Sequence, residues 1–139
     1  MTSRHLFAVR PVTILRAVIR GIKDVNTLSV AIVAITIALN AGMGLAGLTA
    51  SSFVLDNADR VRAPRSWVPF LGAIKLAGAL GLLLGLLGIP IIGAAAAAGL
   101  VAFFVCAIGF HVRAGALSSI AFPGFFLALA GASLFVIAK

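Results

Sequence analysis

The feature that most constrains this chain is the length of its uncharged stretches. No Asp, Glu, Lys or Arg occurs from Leu28 to Leu55, from Leu76 to Phe110, or from Ala114 to Ala138. A helix needs about 20 apolar residues to cross the hydrocarbon core of a bilayer. Charged residues make up only 10% of the chain, whereas they make up about a quarter of a soluble domain. The sequence therefore predicts a single integral membrane domain.

The uncharged stretches predict four transmembrane helices. The longest stretch would form a helix of about 52 Å at ~1.5 Å per residue, which is too long for an ordinary bilayer. Pro90 suits the first turn of a new helix, so we place a break at Gly88-Ile89-Pro90. The fold class is thus all-α, a membrane four-helix antiparallel bundle. Its helices are predicted at residues 28–55, 66–87, 90–111 and 114–138.

Residues 1–27 form a basic N-terminal segment that differs from the rest. Its apolar and basic residues fall on opposite faces of a helix, which predicts a short amphipathic helix on an anionic, cytoplasmic membrane surface. A basic tail without structure, which only sets topology, is the alternative. The apolar face holds Leu15, Val18, Ile19 and Ile22, and the basic face holds Arg16, Arg20 and Lys23.

The basic residues lie in the gaps between apolar stretches, although the net charge of +8 would suit a nucleic-acid-binding protein. Because no soluble surface remains to hold a duplex, nucleic acid is excluded as a partner. Of the eleven Lys and Arg residues, six lie on the side of the two termini and four on the other side. This bias predicts that both termini are cytoplasmic.

Lys75 is the most informative polar residue, since it lies inside the second predicted helix. It is about 15 Å along the helix from Arg65, and Trp67 between them is typical of the membrane interface. A lysine at this depth costs on the order of 3 kcal/mol on insertion scales, so a compensating group is expected. Asn40 is predicted at a similar depth in the first helix and is a candidate neighbour. Alternatively, Lys75 snorkels towards the surface and Asn40 bridges two helices.

Further polar residues are predicted at the outer ends of the helices. His111 and Arg113 end the third helix, and a charge cluster follows the first helix on the same side. This side is a candidate ion-pair cluster, or else a solvated rim that contributes little energy. The outer cluster comprises Asp56, Asp59, Arg60 and Arg62.

Small residues recur at the spacing of membrane helix contacts. Gly81 and Gly85 form such a pair in the second helix, and Ala95 and Gly99 in the third. These pairs let two backbones approach closely. Catalytic, metal and redox sites are not predicted, because two His and three acidic residues do not suggest a metal cluster and Cys106, the one cysteine, cannot form a pair.

From Leu71 to Gly115 the sequence resembles the DoxX-like family of small bacterial membrane proteins. The stretch LGAIKLAGALGL from Leu71 is similar to the family's second-helix signature, and its charged membrane position falls on Lys75. The stretch AAAGLVAFFVCA from Ala96 resembles the third helix, and His111-Val-Arg-Ala-Gly resembles its His-x-Arg ending. Two features depart from the family pattern. Gly47-Leu-Thr-Ala lacks the lysine of a Gly-x-x-Lys, and no acid follows His-x-Arg.

The resemblance implies a four-helix protein of the bacterial plasma (inner) membrane, and relatives in redox systems such as thiosulfate:quinone oxidoreductases. The preferred prediction is a non-catalytic accessory subunit of a membrane complex, with lipids and other membrane subunits or a second copy as partners. A small transporter or a lipid- or anion-binding protein is an alternative, although no acid lies within a span to exchange protons. A third is a quinone-linked oxidoreductase subunit, with Lys75, His111 and Trp67 lining the pocket. Only this last reading implies a cofactor, a quinone.

Overall fold

The chain folds into helices throughout the part that the computed structural model describes, residues 11–139, with the backbone alone described for residues 18 and 21–25. No strand occurs between residues 11 and 139, and 87% of the structure is helical. The all-α prediction is therefore confirmed. The helices are α1 (Pro11–Leu48), α2 (Ser52–Arg60), α3 (Val68–Leu86), α4 (Pro90–Arg113) and α5 (Ala121–Ile137), with short 3-10 turns at Arg65–Trp67 and Leu117–Ser119.

Four of these helices form the bundle. α1 packs on α3, α3 on α4, α4 on α5, and α5 closes the ring against α1. By length and composition, three segments are able to cross a membrane: Asn26–Leu48, Arg65–Leu86 and Pro90–Arg113. α5 is apolar but has only 17 residues, which gives about 26 Å at ~1.5 Å per residue. The protein is thus a membrane protein with an all-α bundle.

The structure differs from the predicted N-terminal organisation. α1 is one continuous helix of 38 residues, whereas the sequence predicts an amphipathic segment that is separate from the first span. Pro11 stands at the start of α1, and no later proline interrupts it, so the helix has no internal stop. Leu15, Arg16, Ile19 and Arg20 are exposed. The side chains of the other residues of the predicted amphipathic faces, and the whole of residues 1–10, lie outside the described part.

The first span also ends earlier than residue 55. α1 stops at Leu48, and Ala50 adopts a left-handed φ of 48°. α2 then starts after Ser51 and runs as a short helix across the end of the bundle, with Ala58 buried. The segment Thr49-Ala-Ser-Ser, where the helix reverses, has no long apolar side chain to pack on the bundle.

The chain reverses again at Gly88, between α3 and α4. Gly88 has a φ of 104°, a conformation that glycine adopts at little cost. Pro90 then stands in the first turn of α4. The last helix starts later than predicted: α5 begins at Ala121 rather than at residue 114. The 3-10 turn at Leu117–Ser119 precedes it.

The core combines apolar packing with close backbone contacts. Its buried apolar residues come from α1, α3, α4 and α5: Val33, Leu82, Ala97, Leu100, Phe104, Phe126 and Ala130. At the α1–α3 contact, Gly44 and Gly47 pack directly on Gly72. Helices that approach this closely gain dispersion contacts in an environment where burial from water provides no driving force.

Candidate functional site

A cavity of about 190 Å³ lies beneath α2, at the end of the bundle where α3 begins and α4 ends. We call it the α2 cavity. Its walls are mostly apolar and aromatic, and every helix of the structure contributes to them. They include Met43, Gly47, Val54, Ala58, Val61, Val68, Leu71, Gly72, Phe103, Phe104, Phe110, Phe122 and Pro123. Its polar lining groups are those of Asn57, Trp67, Lys75, Cys106 and His111.

Lys75 reaches the cavity from α3. Its Nζ lies 5.3 Å from the ring centroid of Phe103 and 5.9 Å from that of Phe104. Within the part of the chain that the structure describes, this ammonium has no hydrogen bond and no ion pair. Cation–π attraction offsets some of the desolvation cost, but it saturates none of the three N–H donors. Lys75 therefore brings a positive charge with free donors to an apolar cavity.

His111 reaches the same cavity from the last turn of α4, and it is only 3% exposed. Its Nδ1 lies 2.8 Å from the carbonyl oxygen of Ala107, one turn earlier. A carbonyl oxygen only accepts, so Nδ1 carries a proton and donates it. The other ring nitrogen, Nε2, is buried and has no partner among residues 11–139. It is thus an unused polar atom at the cavity wall.

Three residues of the cavity wall are exposed, and they mark where the cavity opens. Trp67 is 48% exposed and packs edge-on against Phe110, with 6.3 Å between the ring centroids. Cys106 on α4 and Phe122 at the start of α5 are also exposed. Cys106 lies within Pro90–Arg113, a segment that is long and apolar enough to cross a membrane.

Asn40 does not join this site. It is fully buried in α1, and its Nδ2 donates to the carbonyl oxygen of Thr36 at 2.8 Å. No hydrogen bond links it to Lys75 in the described residues, and its Oδ1 has no partner there. Its neighbourhood is a buried hydroxyl pair, in which Ser133 Oγ donates to Thr36 Oγ1 at 2.9 Å across α1 and α5. Arg113 lies outside the cavity, with its guanidinium carbon 4.8 Å from the Phe110 centroid.

The outer charge cluster is organised by one ion pair. The Arg65 guanidinium donates to both carboxylate oxygens of Asp59, with Nη2 2.6 Å from Oδ2. These hydrogen bonds lower the pKa of Asp59 from its ordinary value of 3.8. The pair joins α2 to the turn before α3, and both side chains are exposed. Among the described residues, Asp56, Arg60 and Arg62 are exposed and form no ion pair.

Several cavity residues were not identified from the sequence. Phe103, Phe104, Asn57 and Cys106 looked like ordinary residues of helices or of the loop between them, because the prediction ran the first helix to residue 55, inside α2, and placed no helix over the end of the bundle. One signal was present in the sequence: a helix over residues 52–60 places Val54, Leu55 and Ala58 on one face and its charged residues on the other, which is typical of a helix lying on a surface.

Comparison with known families gives one match. The family model described as DoxX-like matches residues 31–133. This range begins in α1 and ends in α5, so it covers every element that lines the cavity. No curated protein and no solved structure matches the chain. In the described residues, no group of three or more His, Cys, Asp or Glu side chains is arranged to hold a metal ion.

Proposed function

Since this chain belongs to the DoxX-like family and is a membrane protein, we propose that it is a non-catalytic accessory subunit that holds a lipophilic ligand in the α2 cavity for a membrane redox complex. Its membrane in this proposal is the bacterial plasma membrane, with both termini in the cytoplasm. The six basic residues on the side of the termini support this orientation.

The observation that carries the proposal is the pairing of unused polar atoms with apolar walls. The ammonium of Lys75 and Nε2 of His111 line one cavity, and neither has a hydrogen-bond partner in the described residues. A buried polar atom without a partner, as Nε2 of His111 is among the described residues, costs about 1–3 kcal/mol. A ligand that hydrogen-bonds to these groups would remove this cost, so its binding is favoured.

The size and the walls of the cavity limit the ligand. An apolar cavity of about 150 Å³ binds benzene in another protein, so about 190 Å³ holds a head group of one or two rings. Aromatic side chains such as Phe103 and Phe110 favour a flat ring, which they contact by stacking or edge-on. Cys106 is exposed, and in this proposal the opening beside it faces lipid, which allows an aliphatic tail to remain in the membrane.

A quinone meets these requirements, because its carbonyl oxygens accept hydrogen bonds from Lys75 and its ring packs on the aromatic walls. The groups that line the cavity bind and orient such a ring. We assign the electron transfer to a partner subunit, which is what makes the role of this chain accessory.

An acidic lipophile is the second candidate, and the free ammonium of Lys75 favours it. A carboxylate or phosphate would form an ion pair with Nζ, which is strong in a low-dielectric environment. Lipid or anion binding, or transport of an anion, would then be the function. The two candidates differ in the charge of the preferred ligand.

Binding is tested with the purified protein in nanodiscs, using the fluorescence of Trp67. This is the one tryptophan of the chain, and it lines the cavity. The probes are 2-methyl-1,4-naphthoquinone for the first candidate and oleate for the second. We expect saturable quenching by the quinone that weakens at least about tenfold in Lys75→Met, the effect of losing one good hydrogen bond.

Lys139→Met is the matched control. Nζ of Lys139 also lies over a phenylalanine, 4.4 Å from the Phe135 centroid, but far from the cavity. Its removal should leave the affinity unchanged. Saturable binding of oleate alone would favour the second candidate, whereas binding that is insensitive to Lys75→Met would contradict both.

The accessory role has a separate test. Affinity purification in mild detergent should recover a reproducible partner subunit. Recovery of the protein only as a monomer or a homo-oligomer would count against the accessory role and would leave ligand binding to be judged on the fluorescence data.

A further inference from the structure

We infer that the α2 cavity selects a ring that carries a hydroxyl group, which donates its hydrogen bond to Nε2 of His111 while the Lys75 ammonium donates to a second oxygen of the same ring. This inference rests on the proposed function and makes the ligand more specific: a lipophilic phenol with an oxygen across the ring, such as a hydroquinone.

The first step is the direction of hydrogen bonding at His111. The Ala107 carbonyl, 2.8 Å away, fixes the proton on Nδ1. In a neutral imidazole with that tautomer, Nε2 bears the lone pair and only accepts. Because Nε2 is buried and unpartnered in the described residues, it is satisfied by a donor and gains nothing from an acceptor such as a ketone oxygen.

The second step is the complementary polarity of Lys75. An ammonium has three donors and no acceptor, so it requires an oxygen lone pair. The cavity therefore presents a donor at one place and an acceptor at another. Trp67 adds an N–H donor at the exposed opening, Asn57 offers both types of group, and the thiol of Cys106 is only weakly polar. Nε2 of His111 therefore remains the buried acceptor of this lining that has no partner in the described residues.

The separation between the Lys75 ammonium and the His111 ring limits the shape of the ligand. The Lys75 ammonium lies near the Phe104 ring, and His111 follows Phe104 by seven residues, which is about 10 Å along α4 at ~1.5 Å per residue. Two oxygens on opposite sides of one ring, each with a hydrogen bond of ~2.8 Å, span about 11 Å in total. A para arrangement of oxygens thus spans a length of the same order as the axial rise from Phe104 to His111.

The consequence is a preference for one redox form of a quinone. A quinone has two acceptors, so it satisfies Lys75 and leaves Nε2 of His111 without a donor. The hydroquinone satisfies both groups. A tenfold tighter binding of the reduced form would raise the two-electron potential of the bound couple by about 30 mV.

The experiment compares two stable probes of equal shape, 4-methoxy-1-naphthol and 1-methoxy-4-methylnaphthalene, by quenching of Trp67 in nanodiscs. The only difference is that the first probe carries a hydroxyl group where the second carries a methyl group. Affinities are corrected for the partitioning of each probe into protein-free nanodiscs. In the unmodified protein, we expect the naphthol to bind at least about tenfold more tightly than the methyl probe. This factor corresponds to one hydrogen bond to the buried Nε2 of His111.

His111→Phe removes the acceptor and keeps an aromatic ring of similar size. In this variant, the preference for the naphthol should disappear, while Lys139→Met should retain it. Equal binding of the two probes to the unmodified protein, or a preference that persists in His111→Phe, would overturn the inference and leave the proposed function standing. Failure of both probes, and of the quinone, to bind saturably would overturn the proposed function itself. Should His111→Phe fold poorly, the comparison in the unmodified protein decides.

Discussion

The contact between α1 and α3 depends on the absence of side chains at three glycines. A Cβ on Gly72 would lie 2.6 Å from the carbonyl oxygen of Gly44, 2.8 Å from the amide nitrogen of Leu48 and 2.9 Å from the carbonyl carbon of Gly47. All three are backbone atoms, which cannot move without moving the helix. We therefore predict that Gly72→Ala separates α1 from α3.

The magnitude follows from these distances. Ordinary contacts of a Cβ begin at 3.4 Å, so the helices must separate by roughly 0.8 Å around Gly72, and overpacking of this kind costs about 1–3 kcal/mol. Gly42→Ala is the matched control, because Gly42 lies on α1 with nothing within 4 Å of its Cβ position. In that variant the better helix propensity of alanine adds up to ~1 kcal/mol of stability.

The free energy of unfolding is measured by titration with sodium dodecyl sulfate in mixed micelles, with far-ultraviolet circular dichroism and Trp67 fluorescence as probes. Gly72→Ala should unfold at a clearly lower detergent fraction than the unmodified protein, and Gly42→Ala at an equal or higher one. Gly72 also lines the α2 cavity, so the probe affinity should fall as well. If the two variants had equal stability, close glycine packing would not explain the α1–α3 contact.

Three further predictions concern polar and reactive groups. The Arg65 hydrogen bonds lower the pKa of Asp59, so the pair stabilises the fold above the unfolded value of 3.8 and stops doing so as the pH falls through the lowered pKa. The unfolding midpoints of the unmodified protein and Asp59→Asn should therefore converge on acidification, and a constant difference would contradict this. Ser133→Ala removes the donor to Thr36 Oγ1 and should cost about 0.6 kcal/mol, and at most ~1.7, in the same unfolding titration, so an unchanged midpoint would show that the hydroxyl pair is not structural. Cys106 is exposed at the cavity opening, so the bulky ring of Cys106→Phe should obstruct it and abolish saturable quenching of Trp67, whereas full binding in this variant would place the opening elsewhere.

The number of helices in the bundle was predictable, because the thickness of a bilayer sets the length of uncharged sequence that each helix needs. The ends of the first helix were not. Leu55 is apolar and uncharged, so hydropathy extended the span to it, whereas the structure ends α1 at Leu48 and folds Ser52–Arg60 back over the bundle. That reversal depends on the left-handed φ of Ala50. A left-handed φ is usually predicted from a glycine, and residues 49–52 contain none.

Helix packing was also predictable only in part from the small-residue pairs. Gly81 and Gly85 were predicted as a helix contact, and the structure packs them against Ala96 and Gly93 of α4. Gly99, predicted by the same spacing, has nothing within 4 Å of its Cβ position among the described residues. Spacing identifies a face on which close approach is possible. Which face turns inward is decided by the neighbouring helices, and a single sequence holds no information about them.

Lys75 illustrates why the site could be predicted only in part. Its depth was computable from the helix rise, and so was that of Asn40, but equal depth does not determine direction around the helix axis. Asn40 turns towards Thr36, where a carbonyl oxygen one helical turn earlier accepts its hydrogen bond, and Lys75 turns towards Phe103 and Phe104. A buried amide finds a partner within its own helix, whereas an ammonium on a long side chain requires space. The cavity under α2 provides that space, and it exists because the chain reverses before Ser52 rather than at Leu55. The placement of the charged group and the reversal of the chain are therefore one structural feature, and a variant that straightened α1 through residues 49–51 would remove the site together with the lid.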